Sequence, residues 1–164
     1  MIILVSDTSV LVDLERGGLL EAAFGCGLTM VVPDLLYANE LEAENGPYLR
    51  ALGLGVVALT PDEMTLVQQV KAQRAGLSLA DCFALSCATR PAHALVTGDR
   101  ALRNEAVGRH VPTFGLLWLL DQMAASGLVS SLALWEGLTR VCSHRRCRLP
   151  MDEVNARLRA WVPA

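Results

Sequence analysis

Ile2-Ile3-Leu4-Val5-Ser6-Asp7 decides the fold class. Residues 2–6 form an apolar run without polar alternation, the pattern of a strand covered on both faces in a parallel sheet. No basic segment precedes the run, and it meets a charge at Asp7. It is therefore read as a buried first strand and not as a secretory leader. Asp7 then opens a helical stretch to Glu15, which Gly17-Gly18 stops.

Outward from that strand, the same alternation recurs. A short helix over Leu19–Phe24 precedes a second strand, Leu28-Thr29-Met30-Val31-Val32, closed by Pro33. Asp34 is placed to cap a helix running to about Glu44, where Asn45-Gly46-Pro47 ends it. A short helix over Pro47–Leu52 and a third strand, Gly55–Leu59, follow. Pro61 opens a helix to Arg74, and Ser78 caps another to Thr89. Ala94–Thr97 is the fourth strand, a helix over Arg100–Val107 comes next, and Val111–Thr113 is the fifth strand. Strands alternating with helices predict an α/β chain, a three-layer α/β/α sandwich around a parallel sheet of about five strands. From Phe114 onward the pattern is helical, over Leu116–Ser126, Ser130–Arg140 and Met151–Trp161. The expected organisation is a domain over residues 1–115 and a C-terminal helical extension, residues 116–164, packed on it.

Composition bounds the function. A chain of 164 residues with 52% apolar and 19% charged residues can bury a sizeable core and is not of the disordered class. No apolar stretch reaches the ~18 residues of a membrane span, so no membrane role is expected. The five cysteines are odd in number and irregularly spaced, which suits reduced thiols in a cytoplasmic protein. A net charge of −3 speaks against a uniformly basic nucleic-acid binder. It leaves room for an enzyme whose acidic centre is offset by a metal.

Four separated acids carry the chemical information: Asp7, Glu40, Asp81 and Asp99. Asp7 and Asp99 each follow a strand, at the edge where parallel sheets gather ligands. Each could equally cap the helix it opens. Asp81 lies three residues after Ser78 and could complete a capping box, but the stretch after it is almost wholly apolar or small. Glu40 projects between Leu36 and Tyr37 at ~100° per residue, whereas Glu42 projects away; Glu44, one turn on, is the alternative. An isolated acid among apolar residues is costly unless something pairs with it, and a cluster of acids suits a hard divalent cation.

With these motifs the chain resembles the PIN-domain family, in particular its short prokaryotic members that include VapC-like toxins. The matching segments are Ser6-Asp7-Thr8-Ser9, Pro33-Asp34-Leu35-Leu36-Tyr37-Ala38-Asn39-Glu40, Leu77-Ser78-Leu79-Ala80-Asp81-Cys82-Phe83-Ala84-Leu85 and Leu95-Val96-Thr97-Gly98-Asp99-Arg100-Ala101-Leu102. They occur in the family's order and spacing, over roughly residues 2–115. The resemblance implies a Mg²⁺- or Mn²⁺-dependent ribonuclease with Asp7, Glu40, Asp81 and Asp99 as its catalytic and metal-binding acids. It makes Ser9 a small hydroxyl near the site and Thr97 a support for the last acid. It further implies an RNA substrate, a homodimer and, for a toxin of a toxin–antitoxin pair, a cognate antitoxin. A catalytically silent PIN-like scaffold and a flap-type DNA nuclease are the rival readings; the latter usually carries more acids and DNA-binding insertions than this chain has.

The remaining motifs are weaker. Cys142-Ser143-His144-Arg145-Arg146-Cys147 could be half of a zinc site, but structural zinc prefers shorter cysteine spacing and a second half-site. Arg140, Arg145, Arg146 and Arg148 are the densest basic stretch and read as a solvated loop before an RNA contact. Cys82 and Cys87 are expected in the core, and Trp118 in the core or at a dimer surface.

Overall fold

A computed structural model describes residues 1–164. Five strands make one sheet: β1 (Ile3–Ser6), β2 (Thr29–Pro33), β3 (Gly55–Val57), β4 (His93–Val96) and β5 (Thr113–Phe114). All neighbouring pairs are parallel, in the order β3-β2-β1-β4-β5. The chain builds outward from β1 to β3, then crosses back to place β4 on the other side of β1. The order therefore reverses between β1 and β4, where crossovers on opposite faces leave a crevice at the strands' carboxyl ends. Ser6 is level with Val96, which brings the residues after both strands to that crevice.

The helices are α1 (Thr8–Arg16), α2 (Leu20–Gly25), α3 (Asp34–Leu36), α4 (Gly46–Leu52), α5 (Pro61–Gln73), α6 (Leu79–Ala88), α7 (Arg100–Gly108), α8 (Leu116–Ala125), α9 (Ser131–Ser143) and α10 (Met151–Trp161). They complete the three-layer α/β/α sandwich expected from the alternation. α6 packs against β1, β2 and β4, and every residue from Cys82 to Ala88 is buried. Cys82 and Cys87 thus lie in the core. No helix is long and apolar enough to cross a membrane.

The C-terminal helices are joined tightly to the rest. α9 crosses the turn between α1 and α2 at Gly137, where an added Cβ would stand 2.5 Å from Leu19 Cδ1 and 3.0 Å from the Gly17 carbonyl oxygen. Only a glycine lets the two backbones approach so closely. Val154 and Trp161 of α10 are also buried.

Three elements depart from the expected pattern. The helix after Pro33 does not run to Glu44 as an α-helix: Tyr37–Leu41 is a π-turn, with the Glu42 N–H donating to the Tyr37 carbonyl at 2.8 Å. The fifth strand is Thr113–Phe114, not Val111–Thr113. Val111 still closes α7, its N–H donating to the Ala106 carbonyl at 2.9 Å, and Pro112 has no N–H to give to a ladder. The third strand ends at Val57, and the Ala58 carbonyl turns instead to accept from Arg90 at 2.7 Å.

Candidate active site

Asp7, Glu40, Asp81 and Asp99 line one pocket of about 200 Å³, with Thr8, Ser9, Leu36 and Ala80. Each arrives from a different segment. Asp7 follows β1 and Asp99 follows β4, at the two strand ends that flank the crevice. Asp81 is in the first turn of α6, and Glu40 lies in the π-turn after α3. Of the three acids on that stretch, Glu40 lines the pocket, and Glu42 and Glu44 lie outside it. π-turns place side chains at angles an α-helix does not reach, and they recur at functional sites.

The capping roles of Asp7, Asp81 and Asp99 are realised, together with the shared pocket. Asp34, expected to cap the helix after Pro33, instead begins it, Pro33 being the N-cap with no side-chain hydrogen bond. Asp7 Oδ1 accepts from the Val10 N–H at 3.0 Å and caps α1. Asp99 Oδ1 accepts from the Leu102 N–H at 2.8 Å and caps α7. Asp81 Oδ2 accepts from the Ser78 N–H at 3.0 Å, while the Ser78 hydroxyl accepts from the Asp81 N–H, forming a capping box. In Asp81 and Asp99 one oxygen secures the helix and the other has no donor within the protein. Glu40 follows the same rule: its Oε2 accepts from the Thr8 hydroxyl, and Oε1 is uncommitted. In Asp81 and Asp99 capping, and in Glu40 the Thr8 hydroxyl, fixes one carboxylate oxygen and leaves the other for a ligand.

Asp7 differs from the other three. It is 6% exposed, whereas Glu40 and Asp99 are exposed and Asp81 half-buried. Both of its oxygens are held. Ser9 donates to Oδ1 at 2.8 Å, and the Thr97 hydroxyl donates to Oδ2. Burial raises its proton affinity above that of an ordinary carboxylate; hydrogen bonds from Thr97, Val10 and Ser9 oppose the shift, and the charge of Asp81 adds to it. Thr97 itself is fully buried and also accepts from the Asp99 N–H at 3.0 Å. This one hydroxyl therefore ties the acid after β1 to the acid after β4. Ser9 and Thr97, expected near the site, position Asp7. Thr8 lay within the quoted Ser6-Asp7-Thr8-Ser9 motif without a role of its own, and Arg103, which follows Asp99 where some family members carry a further acid, instead donates to the Thr97 carbonyl at 3.0 Å.

The donor set is all oxygen, which suits a hard cation, and the buried Asp7 would gain most from one. No three His, Cys, Asp or Glu side chains stand close enough to hold an ion by themselves. An ion here would therefore take only one or two direct carboxylates, with water completing its shell, as Mg²⁺ accepts. Cys142, Cys147 and His144 likewise form no such group, so the zinc reading finds no support. A protein-family model described as a PIN domain matches residues 3–161. No curated protein and no solved structure matches the chain.

Proposed function

The chain belongs to the PIN-domain family, and on that premise we propose that it is a divalent-metal-dependent endoribonuclease. PIN domains are generally nucleases, and the match spans nearly the whole chain, C-terminal helices included. The observation that carries the reading is the meeting of four acids from four distant segments at the reversal of strand order. Four carboxylates brought together repel and resist ionising together. A fold that retains them all, with three of them offering a free oxygen, is built for a cation.

Bound there, a divalent ion would lower the pKa of a coordinated water and hold a phosphate oxygen. The protein's own part is to orient. Asp7, locked by Thr97 and Ser9, supplies a carboxylate that cannot swing away. Asp99 and Asp81 line the same pocket with one uncommitted oxygen each, and Glu40, tethered by Thr8, would act through water or a second ion. No histidine lines the pocket, which suits a metal-centred hydrolysis of the phosphodiester.

The finer reading is a cytoplasmic toxin of a toxin–antitoxin pair, homodimeric and silenced by its antitoxin. It rests on the four motifs in the chain's first two thirds. The test is cleavage of single-stranded RNA by the wild type and by Asp7→Asn and Asp99→Asn, with Mg²⁺ or Mn²⁺ and with a chelator. The expected result is cleavage that needs the metal and both acids. Equal cleavage by folded variants would sink the reading, and cleavage of branched DNA alone would favour the flap-type rival. Growth arrest on induction, abolished by Asp7→Ala, tests the toxin role.

A further inference from the structure

A second concavity, about 950 Å³, begins at Asp99 and runs between α7, the segment from β5 into α8, and the start of α10. Clefts that enclose a drug-sized ligand run from ~300 to ~1,000 Å³. The acid pocket is therefore too small for a nucleotide, and its neighbour is large enough.

The charge of this groove is unlike that of the chain. Four of the 14 basic residues line it, Arg100, Arg103, Arg148 and Arg157, against two acids, Asp99 and Glu153, in a protein of net charge −3. Arg157 is committed: it donates to both oxygens of Asp121 at 2.7 and 2.8 Å and to the Glu153 carbonyl at 3.0 Å. Arg103 is held above Gly115, where a Cβ would come within 2.8 Å of its guanidinium. Arg100 and Arg148 make no hydrogen bond or ion pair within the protein. Arg100 follows Asp99 at the start of α7, and Arg148 comes from the connection between α9 and α10; both line the groove. Phe114 and Trp118, which line the same groove, stack at 3.9 Å between ring centroids, inclined by 13°. Uncommitted cations around an aromatic pair are what single-stranded nucleic acid needs: phosphates pair with the cations, and unstacked bases rest on the rings. The bases of a duplex are stacked on one another and cannot reach such a pair.

We propose that this groove seats the strand of a single-stranded RNA on its way into the acid pocket. Arg100 and Arg148 take phosphates, and the Phe114–Trp118 pair offers a base a stacking surface. The C-terminal helices then complete the substrate site, because Arg148 belongs to them. The inference rests on the nuclease reading for the identity of the strand, but binding can be measured apart from cleavage.

The experiment is fluorescence anisotropy of an end-labelled unstructured RNA on the wild-type protein with a chelator present, so that no metal-dependent cleavage occurs. Affinity is followed against salt concentration. For single strands each phosphate neutralised contributes ~0.7 to the log–log salt slope. Arg100→Ala with Arg148→Ala should therefore lower the slope by about 1.4 and weaken binding at least tenfold. Arg159→Ala removes one positive charge outside the groove and should change neither. Trp118→Leu should cost about 5- to 150-fold in affinity if a base stacks there; the exposed arginine pair decides the matter if that variant fails to fold. Unchanged affinity and slope in the double arginine variant would overturn the proposal. So would displacement of the RNA by an acidic peptide at lower concentration than by unlabelled RNA, which would make the groove a protein-docking site. A wild type that binds RNA through these arginines yet cuts none with Mg²⁺ or Mn²⁺ would refute the nuclease reading and leave the groove standing.

Discussion

Thr97→Val tests the joint between the two central acids. Valine matches the shape of threonine but lacks the hydroxyl, so the change removes one donor to Asp7 and one acceptor for the Asp99 N–H. The two losses are unequal. Asp99 is exposed, and water can satisfy its N–H, whereas Asp7 is 6% exposed and its Oδ2 has no other donor. A hydrogen bond to a charged group contributes about 1.5–3 kcal/mol, and a buried acceptor left alone bears its full desolvation cost. The expected destabilisation is therefore about 2–3 kcal/mol, or roughly 5–10 °C in Tm for a chain of this size. The pH dependence has a definite sign. Burial already holds Asp7 above its ordinary value of 3.8, and Thr97 opposes that shift. An acid whose folded pKa is raised binds its proton more tightly in the native state, so the fold loses stability as pH rises from 3.8 toward the folded value. The penalty of Thr97→Val should thus be smallest near pH 3.8 and grow toward neutrality. Thr97→Ser keeps the hydroxyl and should restore most of the loss. Urea denaturation of the three proteins at pH 4 and pH 7.5 is the assay. A Val variant within ~0.5 kcal/mol of wild type, or a Ser variant as weak as Val, would refute the hydroxyl's role.

Three further outcomes follow from the same geometry. Mg²⁺ at a hundred times its Kd should raise stability by about 2.7 kcal/mol, read as a thermal shift; an equal shift in Asp99→Asn would place the ion elsewhere. Arg90 grips both oxygens of Glu63 at 2.7 and 2.8 Å, and holds that carboxyl at about 2, down from 4.5. At ~1.4 kcal/mol per pH unit this is at most about 3.5 kcal/mol above pH 4.5, reduced by solvent screening and lost as pH falls toward 2; Glu63→Gln should flatten that segment of the stability profile in urea titrations. Gly137→Ala should cost about 1–3 kcal/mol by overpacking against Leu19, and a neutral result in urea would mean that α9 can lift from the α1–α2 turn freely.

The strands and most helices were legible because their signals are local. β1 showed as an unbroken apolar run, α6 as a capped apolar stretch, and Asp7, Ser78 and Asp99 as caps. What failed locally did so for tertiary reasons. The π-turn at Tyr37–Leu41 inserts an i to i+5 bond into a stretch whose composition suits an α-helix. β5 moved along the chain because Val111 still belongs to the end of α7. The four acids were legible as oddities, but each had a capping explanation that the structure also realises, so no single position distinguished cap from site.

The sequence by itself determined which residues alternate between strand and helix, which acids stand at helix starts, and which family the motifs match. Only the tertiary structure decided that those acids share a pocket, that Thr97 joins Asp7 to Asp99, and that Arg100 and Arg148 face one groove across 48 positions of chain. The physical reason lies in range. Periodicity and capping act over three to five residues and are written where they act, whereas convergence depends on strand order, and the reversal between β1 and β4 exists only once the whole sheet has formed.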